Sequence, residues 1–345
     1  MKIAILLGTR PEIMKNYAIV KALQKAGVAY EVLHTSQHNA ETMQKIHFDL
    51  AGYQPTLIMN PPYHFGKAVD WVCRQIKKRG ITHILVNGDT SAALVGACAA
   101  LYTDTPLAHV EAGLRSFDTL MVEERNRIMV DGVAHLLLTY TELQAHYLRQ
   151  NKELRGKIIN VGNTTVDLIH DFEACLQAPR KDRYAYITLH RKEFTDSRPR
   201  MESTFTTLNQ LAARLDAFIF PMHPRTRSFV HKYRISQGLL SNITVMEPVS
   251  FVQSLAYEKH ASLILTDSGC VQEEAYLLNV PCVTIRENTE RIETLQGGAN
   301  ILSGFQPEGI RAAVDRQLRQ TLAGLPSIYG SPGAGDRIVQ AVLSL

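Results

Sequence analysis

No GxxxxGK[ST], HExxH or GxSxG occurs in this sequence, and no GxGxxG follows its first apolar run. Those gaps argue against ATP hydrolysis, a zinc hydrolase, a serine-hydrolase elbow and a dinucleotide cofactor. Cysteine is sparse: Cys73, Cys98, Cys175, Cys270 and Cys282, an odd number with no CxxC. Their apolar or helical surroundings predict buried, reduced thiols in a cytosolic protein, and no cysteine–histidine cluster suggests a metal. Long apolar runs are missing too. The longest, Ala92–Tyr102, is about half a membrane span, and the start MKIAILLGTR lacks a signal peptide's apolar stretch and cleavage site. Nor is there a large surplus of one charge: 37 lysines and arginines stand against 33 aspartates and glutamates. That balance gives no case for nucleic acid or an anionic membrane as partner. It suits a cleft that receives an acidic small molecule. The expectation is a soluble, cytoplasmic protein.

What is present is globular: 345 residues, 45% apolar and 20% charged, enough for two domains. Short apolar runs alternate with helical spacing from end to end, the signature of βαβ units and parallel sheets. The strand candidates in the first half are Ile3–Leu7, Tyr30–His34, Ile84–Asn87, Leu107–Val110 and Leu136–Tyr140. In the second half they are Tyr184–Leu189, Phe218–Pro221, Ile243–Met246, Leu263–Thr266 and Cys282–Ile285. Segments such as Met14–Lys25 and Lys67–Arg79 carry helical spacing. Cys175–Arg183 reads as a linker, and an amphipathic helix at Asp336–Leu345 closes the chain. The simplest architecture is α/β, with two doubly wound domains and a cleft between them. The expected divisions are 1–170, 171–328 and a terminal helix in 329–345 that packs back on the first domain.

The run Ser262–Gln272, leading into Glu273-Glu274, reads as a strand, a small-residue turn and a helix start. Unpaired N–H groups and the positive end of the helix dipole would there face an anion. Either glutamate would lie about one turn away, within reach of a ribose hydroxyl. Acids near a helix start also complement its dipole with no ligand at all.

Ligands of open parallel sheets bind beyond the carboxyl ends of the strands. Nearly every candidate strand here runs into ionisable or small residues at that end. Arg10, Lys15, His190, Arg191 and Arg291 have the charge to neutralise a diphosphate. Asp89, Glu111 and Glu123 have the chemistry for proton transfer, since neighbouring carboxylates kept from water acquire separated proton affinities. Each taken alone also reads as an ion pair, and Glu123–Arg127 as a solvated charged helix face.

The motifs GTRPEIMK (Gly8–Lys15), NGDT (Asn87–Thr90), HVEAGLRSFD (His109–Asp118), EERNR (Glu123–Arg127), LHRKE (Leu189–Glu193), HPRTR (His223–Arg227), LTDSGCVQEEA (Leu265–Ala275) and RENTERIETL (Arg286–Leu295) occur in order. With them, over almost its full length, the chain resembles the non-hydrolysing UDP-N-acetylglucosamine 2-epimerases. The resemblance implies two Rossmann-like domains of the GT-B fold, an interdomain cleft and no cofactor. It implies a homodimer that uses a UDP-sugar to make surface polysaccharide precursors. The implied chemistry is elimination of UDP to 2-acetamidoglucal and its re-addition, which inverts C2. By the same resemblance Asp89, Glu111 and Glu123 are the proton-transfer carboxylates, and His190 acts at the leaving group. Arg10, Lys15, Arg127, Ser268, Gly269, Glu274 and Arg291 hold the substrate, and no metal is needed.

The chain departs from the family's pattern in places. Cys270 stands where a second glycine is usual, Ile292 replaces the proline of ERPE, and Val122 replaces a proline before Glu123. Ser254 lies where the family often has an aromatic, which keeps a 3-acetamido or uronic UDP-hexosamine open as substrate. A hydrolysing epimerase is a further alternative, although its usual GSRAE-like start is not found. In Gln37-His38-Asn39-Ala40-Glu41 the polar residues of a second, activating substrate site are partly lost, which predicts weak or absent substrate activation.

Overall fold

The computed structural model describes residues 1–37, 41–322 and 324–345, apart from the side chains of 41–44. His38, Asn39 and Ala40, and with them the expectation about substrate activation, lie outside the described residues. The chain divides into two compact units: Met1–Asp171 with Ser327–Leu345, and Phe172–Pro326.

In the first unit the strands are β1 (Lys2–Leu7), β2 (Ala29–His34), β3 (Leu57–Ile58), β4 (His83–Asn87), β5 (Leu107–Val110), β6 (Leu136–Thr139) and β7 (Lys157–Asn160). They form one parallel sheet in the order β3-β2-β1-β4-β5-β6-β7. Its helices are α1 (Arg10–Lys15), α2 (Tyr17–Lys25), α3 (Glu41–Ala51), α4 (Phe65–Arg79), α5 (Ser91–Thr103), α6 (Val122–Val133), α7 (Glu142–Gln150) and α8 (Thr164–Phe172). The second unit repeats the plan with β8 (Tyr184–Thr188), β9 (Ala217–Pro221), β10 (Thr244–Met246), β11 (Leu263–Thr266), β12 (Cys282–Thr284) and β13 (Asn300–Leu302), in the order β10-β9-β8-β11-β12-β13. Its helices are α9 (Lys192–Thr195), α10 (Arg198–Leu211), α11 (Pro224–Lys232), α12 (Phe251–Lys259), α13 (Gly269–Leu277) and α14 (Pro307–Gln317). The last helix, α15 (Ala334–Leu343), belongs to the first unit. Each sheet reverses direction beside its first strand, at β1/β4 and at β8/β11, the switch point at which doubly wound folds bind ligands.

The central strands are apolar on both faces because helices cover both sides of a parallel sheet. Ile3–Leu7 and Leu263–Leu265 are all fully buried. The terminal helix is fixed at two places. Asp167 accepts from the backbone N–H of Gly333, Ala334 (3.2 Å) and Gly335 (2.8 Å), a carboxylate cap on the positive end of α15. A side chain at Gly335 would meet the Ala18 carbonyl of α2 at 2.3 Å, so only glycine lets the helices approach this closely.

Four strands, β1, β2, β4 and β9, begin a residue before the expected start, β6, β8 and β12 end a residue short and β10 begins a residue late, while β3, β7 and β13 had no apolar run long enough to announce them. The thiols differ from expectation. Cys282 is buried, Cys73, Cys98 and Cys270 are half-buried, and Cys175 is exposed in the turn after α8; all five are free. Among the described residues no helix is long and apolar enough to cross a membrane.

Candidate active site

In the first unit, β1 delivers the chain into the turn Gly8-Thr9. Thr9 and Glu12 form a capping box at the start of α1. Glu12 is buried, and its Oε2 accepts from the N–H of Gly8 (2.9 Å), the N–H of Thr9 (2.8 Å) and the Thr9 hydroxyl (2.8 Å). Its Oε1 accepts from the Thr90 hydroxyl at 2.7 Å, across the switch point. Burial raises its pKa, and the bonds from Thr90, Gly8 and Thr9 offset part of that. The N–H groups that bind phosphate in many Rossmann folds are therefore occupied by this chain's own carboxylate.

One turn on, Lys15 ion-pairs with Glu111. Glu111 directly follows β5, is buried and has φ of 70°, a left-handed conformation that costs energy in a non-glycine residue. Asp89, two residues past β4, ion-pairs with Arg127 of α6, which also donates to Glu124 at 2.8 Å. Glu124 and Arg127 are buried, so this stretch is not the solvated helix face that charge spacing alone allows. Asn126 donates to the Asp89 carbonyl at 2.8 Å. Beneath the same turn the His109 ring lies between Asp131 (Nδ1, 2.7 Å) and the Gly88 carbonyl (Nε2, 2.9 Å). Burial acts upward on the Asp131 pKa, but His109 and Arg115 outweigh it and leave the group below its ordinary value. Glu123, the second residue of α6, is half-buried and has no hydrogen-bond or ion-pair partner among the described residues. Arg10 opens α1, and partial burial lowers its pKa.

In the second unit, Asp267 follows β11 and is fully buried. Its Oδ2 accepts from the N–H groups of His190 and Arg191, at 2.8 Å each, and so fixes the end of β8. Burial raises its pKa to about 6, against the pull of those two bonds and of the Arg191 and Arg286 charges. The His190 ring is a third exposed, lies 3.5 Å from Asp267 Oδ1 through Nδ1, and stacks on His223 with centroids 4.9 Å apart. Ser268 precedes α13 as its N-cap and makes no side-chain capping bond. A side chain at Gly269 would meet Glu290 Oε1 at 2.5 Å. Glu290 is held by Arg286 (2.9 Å) and faces Arg191 (3.4 Å). Arg291 and Glu273, both buried, pair at 2.6 Å. Glu273 and Glu274 are the fifth and sixth residues of α13, too far in to serve as first-turn acids. Glu274 is buried, and burial followed by the Glu274 charge raises the pKa of Glu258 on α12.

The sequence profile of the UDP-N-acetylglucosamine 2-epimerase family matches residues 21–343. The chain belongs to that family. A UDP-N-acetylglucosamine 2-epimerase from Methanocaldococcus jannaschii is 37% identical, with 99% of this chain and 98% of that protein covered. A UDP-2,3-diacetamido-2,3-dideoxy-D-glucuronate 2-epimerase from Pseudomonas aeruginosa is 32% identical, with both chains fully covered. The crystal structure of the M. jannaschii UDP-GlcNAc 2-epimerase in complex with UDP-GlcNAc and UDP superposes with a TM-score of 0.90, at 36% identity over the whole of both chains. The fold is accordingly GT-B, built from two Rossmann-like domains.

In this epimerase-family chain the departures from pattern have definite places. Cys270 is the second residue of α13 and half-buried. Val122 opens α6 and is exposed. Ile292 begins the 3₁₀ segment Ile292–Gly298, and the neighbouring Glu290, Arg291 and Glu293 all stay buried, so no charge is displaced. Sequence reasoning gave no role to Glu12, His109, Asp131, Asp267 or Glu258. The Thr9–Glu12 capping-box spacing was the one local signal available for any of them.

Proposed function

We propose that this protein interconverts UDP-N-acetylglucosamine and UDP-N-acetylmannosamine by elimination and re-addition of UDP, without net hydrolysis and without a cofactor. A carboxylate removes the proton at C2. The electron pair of that C–H bond becomes the C1–C2 double bond, and UDP departs with the C1–O pair. Return of UDP to C1 and of a proton to the other face of C2 completes the inversion. No carbonyl activates the C2 proton, so the barrier falls only where the departing diphosphate is met by fixed positive charge. His190, Arg291 and the start of α13 serve that need. Glu274 takes the ribose, and Arg10 and Lys15 add charge at the diphosphate. Asp89, Glu111 and Glu123 carry the proton. The observation behind this reading is the pair of contacts Glu111–Lys15 and Asp89–Arg127, which set a cation against each strand-end carboxylate.

Incubation with UDP-N-acetylglucosamine in heavy water tests it. Deuterium at C2 of both epimers is the expected result. A product without deuterium refutes the elimination, and free N-acetylmannosamine refutes the absence of hydrolysis. A second reading, a 2-epimerase for a diacetamido uronic UDP-sugar, draws on the P. aeruginosa relative. Parallel assays with both UDP-sugars separate the two by kcat/KM.

A further inference from the structure

Arg291 lies outside helix and strand, so no ladder holds its backbone. Two threonines take the ladder's place. The Arg291 N–H donates to the Thr289 hydroxyl at 3.1 Å, and the Thr294 hydroxyl donates to the Arg291 carbonyl at 2.7 Å. The Thr289 hydroxyl donates in turn to Gln272 Oε1 of α13 at 2.7 Å. The Asn300 amide nitrogen, at the start of β13, donates to the same Gln272 Oε1 (3.1 Å) and to Thr294 Oγ1 (2.9 Å). These bonds close a ring that begins and ends on Arg291. Each hydroxyl in it accepts once and donates once, both Asn300 amide hydrogens are used, and Gln272 Oε1 receives two donors, so the directions are mutually consistent. Thr289, Thr294, Gln272 and Asn300 are all buried. The ring is anchored at two further points. Gln272 Nε2 donates to the carbonyl of Ser268, the N-cap of α13, at 3.2 Å. The Thr284 hydroxyl, at the end of β12, donates to Asn300 Oδ1 at 2.8 Å. A buried polar network paired in this way is rigid.

We propose that Gln272, Thr289, Thr294 and Asn300 are positioning residues for the diphosphate: their ring ties the Arg291 backbone to the start of α13, so that cation and helix N-terminus keep one spacing before a nucleotide arrives. This rests on the reading of Arg291 and the start of α13 as holders of the diphosphate. It goes further in making four uncharged side chains responsible for how well that charge is presented. Both ends of Arg291 are referred to the same turn of α13. Its guanidinium pairs with Glu273, and the ring joins its backbone to the adjacent Gln272. An arginine on an unheld loop would have to be ordered as the ligand binds, at a cost to affinity. The ring meets that cost during folding.

The test compares two ligands on the full chain: UDP by calorimetry, and uridine, which has the base and ribose but no phosphate, by ligand-observed NMR. Thr289→Val keeps the side chain's shape and releases the Arg291 N–H, whereas Thr289→Ser keeps the hydroxyl. Losing one hydrogen bond's worth of preference for the bound position lowers the competent fraction, so Thr289→Val should bind UDP about tenfold more weakly. Its affinity for uridine should not change, and Thr289→Ser should restore UDP binding. Thr294→Val releases the Arg291 carbonyl and should show the same pattern; it serves where a thermal melt shows Thr289→Val unfolded. A merely structural ring would lower the melting temperature and leave the ratio of UDP to uridine affinity as in the wild type. That ratio unchanged in a folded Thr289→Val or Thr294→Val, a Thr289→Ser as weak as Thr289→Val, or failure of both Thr289→Val and Thr294→Val to fold overturns the proposal. The double variant Arg291→Leu with Glu273→Leu, which removes both charges of one buried pair, distinguishes the two levels. If it keeps the wild-type ratio, the diphosphate reading fails and the proposal with it; if it loses UDP while Thr289→Val and Thr294→Val keep the ratio, only the proposal fails.

Discussion

The two units solve one problem in different ways. Each closes the turn after its first strand with a buried carboxylate: Glu12 on the N–H groups of Gly8 and Thr9, Asp267 on those of His190 and Arg191. Glu12 comes from the helix that follows the turn, whereas Asp267 comes from across the sheet. Beyond that shared plug they diverge. The first unit sets strand-end carboxylates against cations, as in Glu111–Lys15 and Asp89–Arg127, with Arg127 also holding Glu124. The second buries a network, Arg286–Glu290–Arg191 and Arg291–Glu273, beneath an open helix start. A group that must hold a diphosphate needs a partner that does not move. The difference in wiring fits the proposed division into proton transfer on one side and anchorage on the other.

That contrast can be broken at several depths. The largest effect is expected in the first unit. Asp89→Asn and Glu111→Gln should each lower epimerisation and C2 deuterium exchange by roughly 10²–10⁴-fold, the usual worth of a general acid or base, while calorimetry finds UDP binding nearly unchanged. Loss of UDP binding in both would mean that these groups hold rather than react. Next comes the second unit's network. Arg291→Leu strands the buried Glu273 and should cost about 3–5 kcal/mol in urea unfolding. Adding Glu273→Leu should return most of that stability without returning UDP affinity. If the single variant is as stable as the wild type, the network is not structural.

A smaller effect concerns Asp267. Its folded pKa of about 6 lies above its ordinary value of 3.8. The folded state therefore keeps a proton that the unfolded chain has released. The stabilisation from this group is complete at low pH and is lost as pH rises through about 6. Relative to Asp267→Asn, the wild type should lose about 2 kcal/mol of unfolding free energy between pH 4 and pH 7. Parallel curves for the two proteins would remove the shift. The smallest effect is a control in the first unit. Lys25→Ala breaks an exposed pair with Asp336 and should change stability by less than about 0.5 kcal/mol.

The inner strands could be read from sequence because burial on both faces makes them continuous apolar runs, as in Ile3–Leu7 and Leu263–Leu265. β3, β7 and β13 could not. Each is an outer strand of two to four residues, and Leu57, Ile158 and Ile301 are only half-buried. The positions of Asp89, Glu111 and Ser268 followed from a rule about parallel sheets, that loops at the carboxyl ends face the ligand. Nothing local revealed that Arg291 meets Glu273, or that Asp267 reaches back to His190. Those contacts join segments on neighbouring strands and helices, and residue spacing along the chain carries no trace of them.

The chain enters the second unit once and returns, so the first unit is completed only by its last residues. A ribosome releasing this protein from its amino end finishes the second unit before α15 exists. Until then the side of α2 that awaits Gly335 is bare, and the nascent first unit is open to chaperones and proteases. Shortening the carboxyl terminus therefore threatens the half of the protein that was made first.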